Sequence, residues 1–146
     1  MGCVGWGMTE GQIKKGLWAA GAMNIAGVLI FSRGFTNAAI NEADPVVMSN
    51  FGLVMIMVWG LAYLGAATVV GRAEIKWLAA AFAVEKLVYG VVWLAWLGQH
   101  GLGELYARDF FAGIFFSIYG LNDLGFMLFF ARVFFGSKPH GVAGVG

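Results

Sequence analysis

The chain has 146 residues, is 60% hydrophobic and only 12% charged, and carries a formal net charge of +1. A soluble domain of this size holds about 25% charged residues, and here the charge is missing from long blocks, as suits a chain solvated by lipid. So small a net charge gives no field for nucleic acid, and the single cysteine, Cys3, excludes an intramolecular disulfide and a cysteine-built metal site.

In chain order, residues 1–13 read as a cytoplasmic tail. Its Met1-Gly2-Cys3 opening invites comparison with an acylated N-terminus. Position 6 is Trp6, however, where the myristoylation pattern needs Ser or Thr, so Cys3 reads as a free thiol. The first apolar block, 14–33, has the length of a signal peptide but not its other features. A long tail holding Glu10 precedes Lys14 and Lys15, Asn24 interrupts the block, and no clean small-x-small cleavage site follows. It reads as a retained membrane span.

Three further blocks follow, at 46–71, 76–97 and 110–131. Each can cross about 30 Å of hydrocarbon, which takes roughly 20 helical residues. None shows the period-2 alternation of barrel strands, so helices are the way to satisfy the backbone in lipid. The links 34–45, 72–75 and 98–109 are short and join antiparallel neighbours, with Pro45 placed to open the second helix. The expected fold is all-α: a polytopic four-helix transmembrane up-down bundle over 14–132, followed by a cytoplasmic tail, 133–146.

Orientation follows from counting Lys and Arg beside the spans. Lys14, Lys15, Arg72, Lys76, Arg132 and Lys138 fall on one side, Arg33 and Arg108 on the other. Both termini are therefore expected in the cytoplasm.

The interior charges are where chemistry is expected. The third span contains Glu85 and Lys86, the fourth Asn122 and Asp123, the first Asn24. An ionised group at mid-bilayer costs about 2.5–3.5 kcal/mol on insertion scales, so each calls for a partner or a use. Counting in from the cytoplasmic ends puts Asn24, Tyr63, Lys86 and Asp123 in one layer, about nine or ten residues deep at 1.5 Å per residue. Helical spacing adds Tyr89 and Trp93 to the face of Lys86, Trp59 to that of Tyr63, and Tyr119 to that of Asp123. Together these residues form a candidate polar belt. Lys86 and Asp123 are expected to pair. Glu85 points about 100° away from Lys86 around its helix, so one Lys must serve two carboxylates or one carboxylate stays neutral.

Other chemistry finds no footing. His100 and His140 lack partners at ligand spacing, so no metal is expected. No nucleophile triad, phosphate loop or dinucleotide motif occurs, and no cofactor is expected. The Phe-rich FFAGIFFSIYG and FMLFFARVFF read as packing or lipid-facing surface. Trp6, Trp18, Trp77 and Trp96 read as interfacial anchors, with Trp59 and Trp93 deeper.

Several stretches together resemble small four-helix bacterial membrane proteins of the DoxX-like type. They are FSRGFTN after the Asn-bearing first span, the DP-initiated second span with GLAYLGAA, the EK centre of the third, and LNDLGFMLFF in the last. The resemblance covers nearly the whole chain and implies the four-helix architecture. Such families mostly lack an assigned reaction, so it implies no activity.

Three functions compete. The leading one is a non-catalytic protein that binds or conducts a small polar or amphiphilic molecule, or a proton, through the belt. The second is an accessory subunit docking another membrane protein. The third is an enzyme on a lipid-like substrate, with Glu85 or Asp123 as acid and base. A crevice open to lipid beside the carboxylates favours the enzyme, a dry and fully paired belt the subunit, a water-filled track transport. The Gly60–Gly65 stretch, the Ala/Gly face of the first span and 13 Phe residues also point to a homo-oligomer or a larger assembly.

Overall fold

The computed structural model describes residues 7–137. Cys3, Trp6, Lys138 and His140, and the expectations placed on them, lie outside the described residues. The described chain is helical, with no strand. Its elements are α1 (Glu10–Phe31), α2 (Ala38–Ala43), α3 (Asn50–Val69), α4 (Lys76–Leu97), α5 (Leu102–Arg108) and α6 (Phe110–Gly136).

Side-chain caps fix where most of the long helices begin. Thr9 accepts from the Gln12 N–H at 3.2 Å while the Gln12 side chain accepts from the Thr9 N–H at 3.0 Å. This reciprocal box starts α1 four residues ahead of the expected span. Ser49 accepts from the Gly52 N–H at 3.1 Å and opens α3, later than the expected start at 46. Pro45 is left in the turn before it, where Asp44 accepts from the Val47 N–H at 3.0 Å. Asp109 accepts from the Ala112 N–H at 2.8 Å and opens α6. That helix runs on to Gly136, five residues past the expected end, because Ala131–Gly136 contains no breaker.

Three helices, α3, α4 and α6, are long and apolar enough to cross a membrane. The α1 helix matches them in length, at 22 residues, but Glu10, Gln12, Lys14, Lys15 and Asn24 dilute its apolar run. It is not among the three. Two of the links, 34–45 and 98–109, hold the short helices α2 and α5. Asn37 caps α2 by accepting from the Ala39 N–H. Both tuck apolar residues, Ala39, Ile40 and Leu105, against the core.

The long helices pack as two intimate pairs, α1 with α3 and α4 with α6, with α1 also touching α6. Glycine allows the close approach within each pair. A Cβ on Gly21 would come within 2.9 Å of the Gly60 carbonyl oxygen, so the backbones of α1 and α3 nearly touch there. Trp93 of α4 lies over Gly120 of α6, where a Cβ would sit 1.9 Å from the indole. The small-residue faces expected to serve assembly are thus partly consumed inside the chain.

The core has two apolar clusters. One, at the end carrying α2 and α5, gathers Ile40, Met48, Leu53, Trp93, Trp96 and Phe116. The other, at the end carrying the chain termini, gathers Leu17, Tyr63, Ala67, Phe82 and Phe130. Trp96 differs from its expected role as an anchor. It is 7% exposed, and its indole N–H donates to the Ala43 carbonyl at 2.8 Å, tying α4 to the end of α2.

A polar belt beside a lateral groove

Between the two clusters lies a polar layer. Lys86, on α4, is 1% exposed. Its ammonium donates to Asp123 Oδ1 at 2.7 Å and to Asn24 Oδ1 at 3.0 Å, and lies 5.2 Å from the centre of the Tyr63 ring. One cation therefore joins α1, α4 and α6 and faces an aromatic ring of α3. Asn24 completes its own hydrogen bonding by donating to the Ile56 carbonyl at 3.0 Å, which ties α1 to α3 a second time.

Glu85, the second carboxylate, does not share Lys86. It turns toward α3 and accepts a hydrogen bond from the Tyr63 hydroxyl through Oε2. The roughly 100° between consecutive helical side chains carries it there. Tyr63, wholly buried, packs edge-on against Phe82 and tilted against Phe130. Its hydroxyl thus reaches into the belt from the apolar cluster.

The remaining candidates divide. Asn122 donates weakly to Asp123 Oδ1 at 3.4 Å. Tyr89 is half-buried and makes no side-chain hydrogen bond with the described residues. Tyr119 is 8% exposed, and its hydroxyl is buried without a hydrogen-bond partner. Trp93 is committed elsewhere, because its indole N–H donates to the Phe116 carbonyl at 2.6 Å. Trp59 is half-buried and edge-on to Phe82, packed on the apolar cluster at the α1 N-terminal end.

A groove of about 360 Å³ opens beside this layer between α1 and α6. Met23, Ala26, Ile30, Phe31, Phe115 and Ile118 give it apolar walls, while Glu85, Lys86, Tyr89, Tyr119, Asn122 and Asp123 line its floor and present only a little polar surface to it. Gly27 lies on its α1 wall, where an added Cβ would meet no heavy atom within 4 Å. Periodicity marks the floor but not the groove, which exists because α1 makes its intimate contact with α3 and only a lighter one with α6.

A second network, not foreseen as a unit, closes the molecule at the α2/α5 end. Asp109 accepts from the Ala112 N–H and from the Asn37 side chain, both at 2.8 Å, and pairs with Arg33 at 2.9 Å. Removal from water opposes ionisation of Asp109. The Ala112 N–H, the Asn37 amide and the Arg33 guanidinium outweigh that and hold its carboxyl below the usual carboxylate range. Arg33 also lies over the Phe111 ring at 4.9 Å. The sequence signal was present: an Asp immediately before a long apolar run is a helix N-cap signature.

Among the described residues no group of three or more His, Cys, Asp or Glu could hold a metal ion. No protein-family model, curated protein or solved structure matches the chain.

Proposed function

We propose that this chain is an integral membrane protein of the DoxX-like type that crosses a bacterial inner membrane four times with both termini in the cytoplasm. In this reading it takes an amphiphile from the bilayer into the groove between α1 and α6. The observation that carries the reading is the buried Tyr119 hydroxyl, which has no hydrogen-bond partner among the described residues and belongs to a residue that lines the groove. Leaving a buried hydroxyl unpaired costs about 1–3 kcal/mol. A ligand with an apolar chain on the groove walls and a polar head on the floor would relieve that cost. The form, an apolar cleft with a few convergent polar groups, is that of small-molecule sites in general.

Four spans suit the charge distribution. Arg33 and Arg108 are neutralised by Asp109 and Glu42 at the α2/α5 end. Lys14, Lys15, Arg72, Lys76 and Arg132 form no ion pair with the described residues. The free positive charge therefore collects at the end assigned to the cytoplasm. As the first span, α1 would bring Asn24 to mid-bilayer already satisfied on both sides by Lys86 and Ile56. Reporter fusions at Gly146 and after Ala38, Glu74 and Gly101 test the topology. A periplasmic signal at Gly146 would overturn it.

The binding test uses the open wall position. Gly27→Leu should send a side chain into the groove from a position where its Cβ meets no heavy atom within 4 Å. Native mass spectrometry of the wild-type protein in mild detergent should show a retained amphiphile that this variant lacks. Equal retention by a folded Gly27→Leu protein would sink the groove as the site. One observation favours a second reading, an enzyme on a lipid-like substrate: both carboxylates, Glu85 and Asp123, line the groove. In that case the bound species would turn over into a product of different mass during incubation.

A further inference from the structure

We infer that the groove selects an amphiphile whose head donates hydrogen bonds and carries no negative charge, a long-chain alcohol or amine rather than a carboxylate, sulfate or phosphate. This rests on the groove being the binding site and adds the chemistry of its occupant.

The donors and acceptors of the floor carry the inference. The only cation there, Lys86, is already committed to Asn24, Asp123 and the face of Tyr63. An ammonium has three donors and no acceptor; two of them meet Asn24 and Asp123, and the Asp123 carboxylate already balances its charge. The acceptors are not committed. Asp123 receives both of its hydrogen bonds on Oδ1, leaving Oδ2 without a donor among the described residues. Glu85 accepts through Oε2 alone, which leaves Oε1 without a donor as well. The belt thus holds two carboxylates and one ammonium, and only Asp123 is bonded to it. The belt holds either one negative charge in excess or one extra proton, and in neither state does it offer a free positive charge.

An anionic head would have to desolvate beside Asp123 and Glu85 with no counter-ion, and like charges in a water-poor site repel strongly. A hydroxyl or amine faces the opposite situation. Its N–H or O–H can donate to Asp123 Oδ2, and a hydroxyl or neutral amine can accept from the Tyr119 hydroxyl, which has no other use. An ammonium head would instead balance the excess carboxylate and let the Tyr119 oxygen accept. The apolar walls then hold the chain by burial alone, which gives affinity without choosing among heads.

The test holds the chain constant and changes the head. Hexadecanol, hexadecylamine and hexadecanoate are added separately to the full-length protein in nanodiscs of phosphatidylcholine, and retained adducts are counted by native mass spectrometry. Wild type and Gly27→Leu are compared throughout. The expected result is retention of the alcohol and the amine at least about tenfold above the carboxylate, with loss of both in Gly27→Leu. A carboxylate retained as well as the alcohol, and expelled by Gly27→Leu, would overturn the head-group inference while leaving the groove as the site. Retention of the alcohol and amine unchanged by Gly27→Leu would overturn both.

Discussion

Helix α6 has one aspartate at its N-cap, Asp109, and one in its interior, Asp123; each faces a cation at ion-pair distance, and the two are bonded in opposite ways. Asp109 has a donor for each side of its carboxylate: the Ala112 N–H and Asn37 on Oδ1, Arg33 on Oδ2. Its cation is half-exposed and the network borders the helix end, where water can relax around it. Asp123 has a cation buried to 1% exposure, two donors on one oxygen, and a second oxygen left over beside a groove. A carboxylate with all its acceptors filled is a structural part. One with spare acceptors beside a cleft is where the proposed ligand would place its head.

Lys86→Met breaks the comparison hardest. It leaves Asp123 and Glu85 in the belt with no cation and strips Asn24 of its donor. One-sided removal from a buried pair costs about 3–5 kcal/mol. Polar contacts between membrane helices average nearer 0.6 kcal/mol, but here two carboxylates are stranded at once, which argues for the upper range. Thermal unfolding in one fixed detergent should place Lys86→Met well below Asp123→Asn, with the double variant above Lys86→Met alone. Strictly additive shifts would show that the pair is not coupled.

Tyr63→Phe should come second. It removes the one donor to Glu85 while leaving the Phe82 and Phe130 packing in place. A buried acceptor left unpaired costs about 1–3 kcal/mol. A loss of stability equal to that of Lys86→Met would mean that Tyr63, not Lys86, holds the belt together.

At the other aspartate, Asp109→Ala removes the α6 cap, at a cost of about 1 kcal/mol. Asp109→Asn keeps a cap acceptor and loses only the charge facing Arg33, which makes it the probe of pH. The folded carboxyl ionises below its ordinary value of about 3.9. Its charge therefore stabilises the protein fully above that value and stops doing so as pH falls through the depressed one. The stability gap between wild type and Asp109→Asn, followed by thermal unfolding from neutral pH downwards, should persist to about pH 4 and close below it. A gap independent of pH would assign it to shape rather than charge.

What could be read from the sequence, and what could not, divides along physical lines. The positions of α3, α4 and α6 were legible because a bilayer demands long apolar runs and the chain has them. The layer of Asn24, Tyr63, Lys86 and Asp123 was legible because axial rise alone fixes depth in a helix. Rotation about the helix axis was not. Nothing in the spacing says that α3 turns Tyr63 toward Glu85, or that Trp93 bends to the Phe116 carbonyl and leaves the belt. The short helices α2 and α5 were not legible because they are held less by propensity than by the core beneath them and by caps such as Asn37. Trp96 looked like an anchor from its place at the end of α4, yet the carbonyl that satisfies it belongs to α2, a helix the sequence did not announce.

Tyr119→Phe should have the smallest effect on stability and separates the two aspartates most sharply. The hydroxyl makes no hydrogen bond, so its removal breaks none. The ring contacts with Trp93, Phe115 and Phe116 are kept, since phenylalanine presents the same ring. Empty, the variant should unfold within about 0.5 kcal/mol of the wild type, or above it, because an unsatisfied buried polar atom is gone. Filled, it should be worse, since a head resting on Asp123 loses the hydroxyl beside it. The two states can be compared by delipidating each protein and repeating the unfolding with and without hexadecanol. Stabilisation by the alcohol should be clear in the wild type and reduced in Tyr119→Phe. A matching loss of stability in the delipidated variant would instead mean that Tyr119, like Asp109, belongs to the scaffold.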